Sequence, residues 1–273
     1  MDAANSYLQK LVESVPLREP LLRKIIASLN LPTGSHGLDA GCGIGHPTLL
    51  LADGVGLGGH VTGFDLIPEL LAYGIQQAEQ AGFSSRVTFR QGDIRSLPWE
   101  DDTIDWAWSA DCIGYPLGDM APFLQELMRV VKPGGSIYIL AWSSQQLLPG
   151  YLLLEARLNA TCSAYIPYLT GKGPELTFLR GMRAFRHAGL EAVEAHTYVG
   201  DVQAPLSPGV RNGLFSLFNM LWGQRQPEVT PEDWNAYQRL CLPGSPECIL
   251  DVPEYYAFFT YTLFQGKVPH NMH

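Results

Sequence analysis

Hydrophobic positions along the chain change repeatedly between helical spacing and strand-like runs. In the first 142 residues this pattern predicts two N-terminal helices, followed by strands and helices in alternation. The predicted helices are 7–15, 17–29, one beginning at Thr48, 66–81 and 119–131. The predicted strands are a short one ending near Leu38, then 60–65, 86–92, 101–109 and 136–142. Such alternation is typical of an α/β fold with a parallel sheet.

The second half of the chain continues with fewer, longer elements. Segments 151–165 and 174–188 are predicted helices, and 190–202 and 255–268 are predicted strands. About fifty residues, 204–253, separate these two strands where a short turn would be sufficient. This insertion contains a helical apolar stripe, Val210, Leu214, Leu217, Phe218 and Leu221, and a second short helix at 233–242. It is open whether the insertion is a lid over a substrate pocket, a dimer contact or additional core.

A glycine-rich turn lies between the first predicted strand and the helix that follows it. Its pattern is Asp39-x-Gly41-x-Gly43-x-Gly45, and the three glycines leave the backbone open to a ligand. The first amides of the next helix have no partners inside that helix, so they offer a site for a carboxylate or phosphate. A dinucleotide-binding turn has Gly-x-Gly-x-x-Gly, a spacing that is absent here. The turn therefore disfavours a nicotinamide cofactor, and pure strand-to-helix packing is the alternative.

Acidic residues follow the next two predicted strands. Asp65 ends the second strand, where a carboxylate can accept both hydroxyls of a ribose, but it can equally cap the next helix. Asp93 follows the third strand and can accept from an adenine amino group with Ile94 beside the ring, or it can be a surface turn residue. Together with the glycine turn, three successive strands end in such features, which indicates one ligand site at this edge of the sheet.

Two motifs resemble a known family. The pattern from Asp39 to Gly45 resembles motif I of the class I S-adenosylmethionine-dependent methyltransferases. The run Leu-Met-Arg-Val-Val-Lys-Pro-Gly-Gly, 127–135, resembles the segment before strand five in small-molecule methyltransferases, which include the quinone-ring C-methylating enzymes. The resemblance covers about residues 20–142.

The resemblance implies a fold and a domain organisation. We expect a Rossmann-like, seven-stranded, mostly parallel α/β sheet of order 3-2-1-4-5-7-6, with the last strand antiparallel, helices on both faces and a helical cap insertion. The chain is expected to be a single methyltransferase domain, 1–273. Its expected parts are N-terminal helices at 1–32, a cofactor-binding core at 33–142, and substrate-side helical insertions at 143–189 and 204–253.

The resemblance also implies a cofactor, S-adenosylmethionine, and a product, S-adenosylhomocysteine. The expected cofactor-binding residues are Asp39, Gly41, Cys42, Gly43, Gly45, Asp65, Leu66, Asp93, Ile94 and Ser109. Methyl transfer to O, N or C of a small, partly apolar molecule is the expected activity. No catalytic group is assigned, although His46, Asp111 and Tyr115 are candidates for contact with the acceptor. A non-catalytic cofactor-binding module with a partner interface is the alternative from another class.

Composition narrows the choice of partners. The 273 residues carry a net charge of -9, which argues against nucleic acid or an anionic membrane surface as the main partner but leaves a local basic patch open. An RNA or protein methyltransferase is further disfavoured because Ser-Ala-Asp-Cys, 109–112, stands where Asn-Pro-Pro-Tyr would follow strand four.

The spacing of the five cysteines, with no metal-binding pattern, predicts reduced thiols in the cytoplasm and no metal. Prolines and glycines break the longest uncharged run, 133–154, so no membrane span is expected. A homodimer stays open.

Overall fold

The computed structural model describes residues 3–115, 118–162, 173 and 176–270. The chain divides into two compact units, each made from three segments. Unit 1 consists of Met1–Leu21, Ser143–Lys172 and Val199–Tyr261. Unit 2 consists of Leu22–Trp142, Gly173–Tyr198 and Thr262–His273, and it contains every residue predicted above to bind the cofactor.

Helices and strands alternate through the first half of the chain as predicted. The helices in the described residues are α1 (Ala3–Ser28), α2 (His46–Gly54), α3 (Pro68–Gln80), α4 (Ala121–Val130), α5 (Leu152–Ala160), α6 (Gly181–Ala188), α7 (Pro208–Trp222) and α8 (Pro231–Cys241). The strands are β1 (His36–Ala40), β2 (His60–Asp65), β3 (Val87–Gln91), β4 (Ile104–Ala110), β5 (Val131–Gln146), β6 (Glu191–Gln203) and β7 (Tyr256–Lys267). Two 3-10 turns lie at Phe178–Arg180 and Ile249–Asp251.

The strands form one seven-stranded sheet of order β3-β2-β1-β4-β5-β7-β6, which confirms the predicted topology. β1 pairs in parallel with β2 and β4, and the outer pairs β2–β3 and β4–β5 are also parallel. β7 runs antiparallel to both of its neighbours. In the register of β1 and β2, Ala40 pairs with Phe64, so Gly41 and Asp65 follow at the same edge of the sheet.

The core of unit 2 explains why a weakly apolar segment becomes a central strand. Four of the five residues of β1 are buried, because β2 and β4 flank the strand on both sides. Leu38 and Ala40 belong to one apolar cluster with side chains of α4 and α6, including Leu124 and Phe185. The glycine turn after β1 is thus held by a well-packed base.

The N-terminal region differs from the prediction of two helices. α1 is one continuous helix that includes Pro16 and Pro20. Both prolines lie on its exposed side, and the buried stripe keeps its spacing past them from Leu17 to Ile25. A proline inside a helix removes one backbone hydrogen bond, but on the solvent side the freed carbonyl can bind water. The apolar stripe therefore keeps the helix continuous.

The turn predicted between α4 and the fifth strand is also different. β5 begins at Val131, which pairs with Ile104, and the pairing resumes at Ser136 opposite Trp106 after an irregularity. The predicted turn at 132–135 is therefore an irregular part of the strand itself, with Gly134 at φ 81°. The helices predicted at 151–165 and 174–188 each include residues outside the described part of the chain. These residues are 163–165 in the first helix and 174–175 in the second.

Unit 1 contains the insertion between β6 and β7. Both helices predicted there are present, as α7 and α8. Four of the five residues of the apolar stripe of α7 are buried and Val210 is half-buried, and the Ser216 hydroxyl donates a hydrogen bond to the Glu13 carboxylate of the same unit. Arg157 on α5 binds the Asp233 carboxylate of α8 through two nitrogens, at 2.7 and 2.8 Å. The stripe is therefore packing within unit 1.

Among the helices of the described residues, none combines the length and the apolar character that crossing a bilayer requires.

The ring of Phe89 leaves no space for a side chain at Gly45, and this constraint can be tested. A Cβ atom on Gly45 would lie 2.5 Å from this ring, and the φ of Gly45 is 75°. Gly34 has nearly the same φ, 77°, but a Cβ there would meet no atom within 4 Å. Both Gly→Ala changes carry the left-handed backbone cost of about 1–2 kcal/mol. Gly45→Ala should lose a further ~1–3 kcal/mol of unfolding free energy through overpacking.

Urea denaturation of the two variants measures this difference. Combining Gly45→Ala with Phe89→Ala should remove most of the additional loss, measured relative to Phe89→Ala alone. Equal losses for Gly34→Ala and Gly45→Ala would show that the contact with Phe89 does not constrain the turn.

Candidate active site

The backbone of the glycine turn is held by β2. The amides of Gly41 and Cys42 both donate to the carbonyl oxygen of Phe64, at 2.7 and 3.2 Å. Gly41, Gly43 and Gly45 all have positive φ values, which residues with a side chain rarely adopt. No side chain caps the start of α2 after Gly45, so its first amides are left for a ligand or water.

Asp65 connects the turn to the start of the segment that leads into α3. Its Oδ2 accepts a hydrogen bond from the Gly43 amide at 2.8 Å, and its Oδ1 accepts one from Ile67 at 3.0 Å. Asp65 is not a cap of α3, because the N-cap residue is Ile67 and no side chain caps the helix; the bond from the Ile67 amide closes a turn before the helix and occupies one acceptor position on Oδ1. Each carboxylate oxygen can accept more than one hydrogen bond, so the half-buried group can still accept from ribose hydroxyls.

Asp39 lies beneath the turn as a buried carboxyl group. Only 1% of the residue is exposed, and its Oδ2 accepts a hydrogen bond from the Thr48 hydroxyl at 2.6 Å. Burial raises the pKa of Asp39 to about 7, the Thr48 hydrogen bond opposes this rise, and the charge of Asp65 adds to it. The turn thus has a group that titrates near neutral pH directly below it.

Two thiols also lie against the turn. A Cβ on Gly41 would come within 2.4 Å of Cys112 Sγ, and one on Gly63 would lie 3.0 Å from Cys42 Sγ. Burial raises the pKa of Cys112 to about 12, and the charges of Asp65 and Asp39 contribute. The same causes raise the pKa of Cys42. Both side chains are therefore neutral thiols that fill space around the turn at neutral pH.

Three residues predicted to bind the cofactor follow β2 and β3: Leu66, and the two predicted to contact adenine, Asp93 and Ile94. Leu66 is 62% exposed, whereas Ile94 is half-buried against the apolar core of unit 2. Asp93 is bound by the guanidinium of Arg95 at 2.5–3.0 Å, and this contact lowers the pKa of Asp93 to about 2. The pair is exposed, so in water the carboxylate can exchange Arg95 for another donor at little cost. Binding of adenine by these residues stays a prediction.

The candidate residues for acceptor contact have different environments. Asp111 has a φ of 50°, and its carboxylate accepts a hydrogen bond from the Trp142 amide at 2.8 Å, joining the ends of β4 and β5. Asp111 therefore has a structural role, which is to tie the chain after β4 to β5. Tyr115 is half-buried with its ring edge toward Phe178, and His46 is the first residue of α2. Ser109 is completely buried near the end of β4.

Thr48 and Cys112 were not among the predicted site residues. Thr48 is nine residues from Asp39, and only the reversal of the chain at the turn brings its hydroxyl to the carboxylate. The sequence feature that could have indicated this contact was a hydroxyl side chain in the first turn of α2. Cys112, which follows β4, lies next to Gly41, which follows β1. The hydrophobic periodicity of the sequence does not predict this contact between two strand ends.

The electrostatics of the turn define the kind of ligand that fits. A pyrophosphate at this turn would need a hydrogen bond from the Gly43 amide. This amide already donates its hydrogen bond to the Asp65 carboxylate. Asp39 and Asp65 bring negative charge to the turn, which repels an anionic diphosphate and attracts a cationic sulfonium or ammonium group. The fold is therefore Rossmann-like, and the charge of the site is compatible with a ligand that carries positive charge, as S-adenosylmethionine does.

Comparison with known proteins agrees with this class. Residues 32–188 match the methyltransferase domain family, and the chain belongs to this family. The demethylmenaquinone methyltransferase of Bacillus subtilis is 29% identical over 198 residues, which cover 66% of this chain and 82% of the relative. The Bacillus cereus enzyme of the same name is 32% identical over 193 residues, covering 64% and 78%.

Solved structures show the same fold. A SAM-dependent methyltransferase from Aquifex aeolicus has a TM-score of 0.52 at 23% identity and covers 71% of this chain and 90% of its own. A Haloferax volcanii methyltransferase in complex with the Trm112 activator has a TM-score of 0.59 at 19% identity, covering 98% and 97%. Together with the family match, these findings make the chain an S-adenosylmethionine-dependent methyltransferase.

The titration of Asp39 leads to a prediction about stability. Its pKa in the folded protein, about 7, lies above the value of about 3.9 expected in the unfolded chain. The native state therefore keeps a proton that the unfolded state has lost, and the free energy of unfolding falls as pH rises from about 4 to about 7. In the ligand-free protein, Asp39→Asn should remove about 2–4 kcal/mol of this decline.

Urea denaturation between pH 4.5 and 8 tests this expectation, with Asp53→Asn on α2 as the matched control. The difference in stability between Asp39→Asn and wild type should increase with pH in favour of the variant. Parallel pH profiles for the two proteins would contradict the raised pKa.

Proposed function

We propose that this enzyme transfers the methyl group of S-adenosylmethionine to a small, partly apolar acceptor with a ring of quinone type. The Gly43–Asp65 contact is the observation that carries the proposal, because it leaves a carboxylate, rather than a phosphate-binding amide, at the centre of the turn. The names of the relatives support the acceptor class, since the two Bacillus enzymes are demethylmenaquinone methyltransferases.

In this proposal the cofactor is held by the turn and by the ends of β2 and β3. Asp65 accepts from the ribose hydroxyls, and the open backbone of residues 41–45 receives the amino-acid part. Leu66 and Ile94 contact the adenine ring, and Asp93 accepts from its amino group. Asp39, Cys42 and Ser109 support the turn and the end of β4 from below. Asp39 also adds negative charge when it is ionised.

Methyl transfer from this cofactor requires few catalytic groups from the protein. S-adenosylmethionine supplies an activated methyl group on its sulfonium. The protein has to align the acceptor atom with that methyl group and exclude water. A base is needed only if the acceptor must lose a proton, and among the three candidates we assign this role to His46. The Asp111 carboxylate instead holds the end of β5, and Tyr115 contributes apolar contact.

We further propose that the segments 143–189 and 204–253 contact the acceptor. Unit 1 exposes large apolar side chains at the start of α5, where Leu152 and Leu153 are 59% and 76% exposed and Tyr151 is 43% exposed. Adjacent exposed apolar residues are typical of a surface that covers an apolar ligand. The buried stripe of α7 provides a rigid base within the same unit.

A transfer assay with methyl-labelled S-adenosylmethionine tests the acceptor class. The substrates are a demethylated naphthoquinol, a benzoquinol, a catechol, total RNA and a mixed protein fraction. We expect label in the organic extract of a quinol reaction and none in RNA or protein. Label found only in RNA or protein would contradict the proposal. Cofactor binding without transfer to any substrate would instead favour the non-catalytic module.

The variant Leu152→Ser/Leu153→Ser examines the acceptor surface in the same assay. If the acceptor covers these side chains, its KM should rise about 5- to 30-fold through lost apolar burial, with the affinity for S-adenosylmethionine unchanged. Leu57→Ser is the control, because Leu57 is 87% exposed in unit 2. An unchanged KM in the double variant would place the acceptor elsewhere.

A further inference from the structure

A shallow cavity of about 700 Å³ lies between α6 and the strands β6 and β7, within unit 2. We call it the arginine groove. It is lined by Leu179, Arg180, Met182, Arg183, Arg186, His187, Ala195, Thr197, Thr262 and Phe264. No acidic residue occurs among these ten lining residues.

The three arginines of the groove form an isolated basic patch. Arg180, Arg183 and Arg186 recur every third residue along α6 and the turn before it, and all three are exposed. Within the described part of the chain, none of the three forms an ion pair, whereas Arg129, Arg157 and Arg211 do. In a protein of net charge -9, three adjacent guanidinium groups that lack carboxylate partners indicate an anionic ligand from outside the chain.

The floor of the groove is apolar. Phe264 packs against Phe178 and Phe185 with ring centroids 5.1 and 6.4 Å apart, so its ring is fixed in the core. Leu179 is 62% exposed directly beside Arg180. The two threonines bond each other, Thr197 Oγ1 to Thr262 Oγ1 at 3.1 Å. The groove therefore combines cations at its rim with an apolar floor that makes few hydrogen bonds.

We propose that the arginine groove docks the protein on the surface of a membrane that contains anionic phospholipids. The guanidinium groups bind lipid phosphates, and the exposed Leu179 inserts among the upper acyl segments, as apolar side chains of interfacial helices do. An acidic peptide fits less well, because a peptide of acidic residues offers no apolar environment for Leu179, which is 62% exposed beside the arginines. The overall negative charge limits attraction to this one patch, which orients the protein on the surface.

This proposal goes beyond methyl transfer and can be tested without an acceptor. Sedimentation with vesicles of phosphatidylcholine and phosphatidylglycerol, 3:1, is compared with phosphatidylcholine vesicles at about 20 mM and 300 mM NaCl. Wild-type protein should bind the anionic vesicles, and the higher salt concentration should weaken binding by screening. Arg183→Glu/Arg186→Glu should bind at least about 30-fold more weakly, since each arginine near such a surface contributes about fivefold or more.

A matched variant separates the groove from net charge. Lys24→Glu/Lys267→Glu changes the net charge by the same amount at two exposed lysines outside the groove, and it should keep binding within about threefold of wild type. Leu179→Ser should weaken binding without a change in charge. Circular dichroism and S-adenosylmethionine titration show that each variant is folded.

Three results would overturn membrane docking. The first is the absence of wild-type binding to anionic vesicles. The second is an equal loss of binding in both double variants. The third is wild-type binding to a polyglutamate peptide but not to vesicles, which would assign the groove to an acidic protein partner instead.

Discussion

The Gly43 amide donates its hydrogen bond to the Asp65 carboxylate, and the geometry of the candidate cofactor site depends on this contact. It exists because β1 and β2 pair in parallel, with Ala40 opposite Phe64, so that the turn and the strand end meet at one edge of the sheet. The Phe64 carbonyl adds two further bonds to the turn. The backbone of the glycine loop is thereby tied to its neighbour strand by three hydrogen bonds.

Electrostatics then select among the ligands that such a fold can hold. Many Rossmann-like proteins bind diphosphates at the first turn through free amides and a helix N-terminus. Here one of those amides faces a carboxylate, and a second carboxyl group, Asp39, is buried below the turn. A cationic cofactor relieves the cost of this negative charge, whereas a diphosphate would increase it. The charge on the ligand therefore matters as much as its shape.

Periodicity was sufficient for the alternation of helices and strands and for the position of Asp65 at a strand end, whereas the sheet order was expected from the family resemblance. The alternative role of Asp65 as a helix cap was wrong, because α3 has no side-chain cap; Oδ1 binds the Ile67 amide before the helix, and further acceptor positions stay available. The single helix α1 was not predicted, since proline is a strong local signal and continuous burial of the stripe overrides it. The hydrogen bond from the Trp142 amide to the Asp111 carboxylate joins residues 31 positions apart. No local sequence pattern predicts it. The arginines of the groove were visible in the sequence, but the lack of acidic residues among the described residues that line it was not, because the lining comes from three separate segments of the chain.

Calorimetric titration of wild-type protein and Asp65→Asn with S-adenosylmethionine, S-adenosylhomocysteine and NAD tests the account most directly. Asn keeps one oxygen acceptor for the Gly43 amide and removes the charge, and it gives up the bond from the Ile67 amide, so circular dichroism must show that the variant is folded. We expect both adenosyl ligands to bind wild-type protein and NAD not to bind. Asp65→Asn should weaken the adenosyl ligands by about 1.5–3 kcal/mol through the lost charged hydrogen bonds. Binding of NAD, or unchanged affinity of S-adenosylmethionine in a folded Asp65→Asn variant, would contradict the role of this carboxylate.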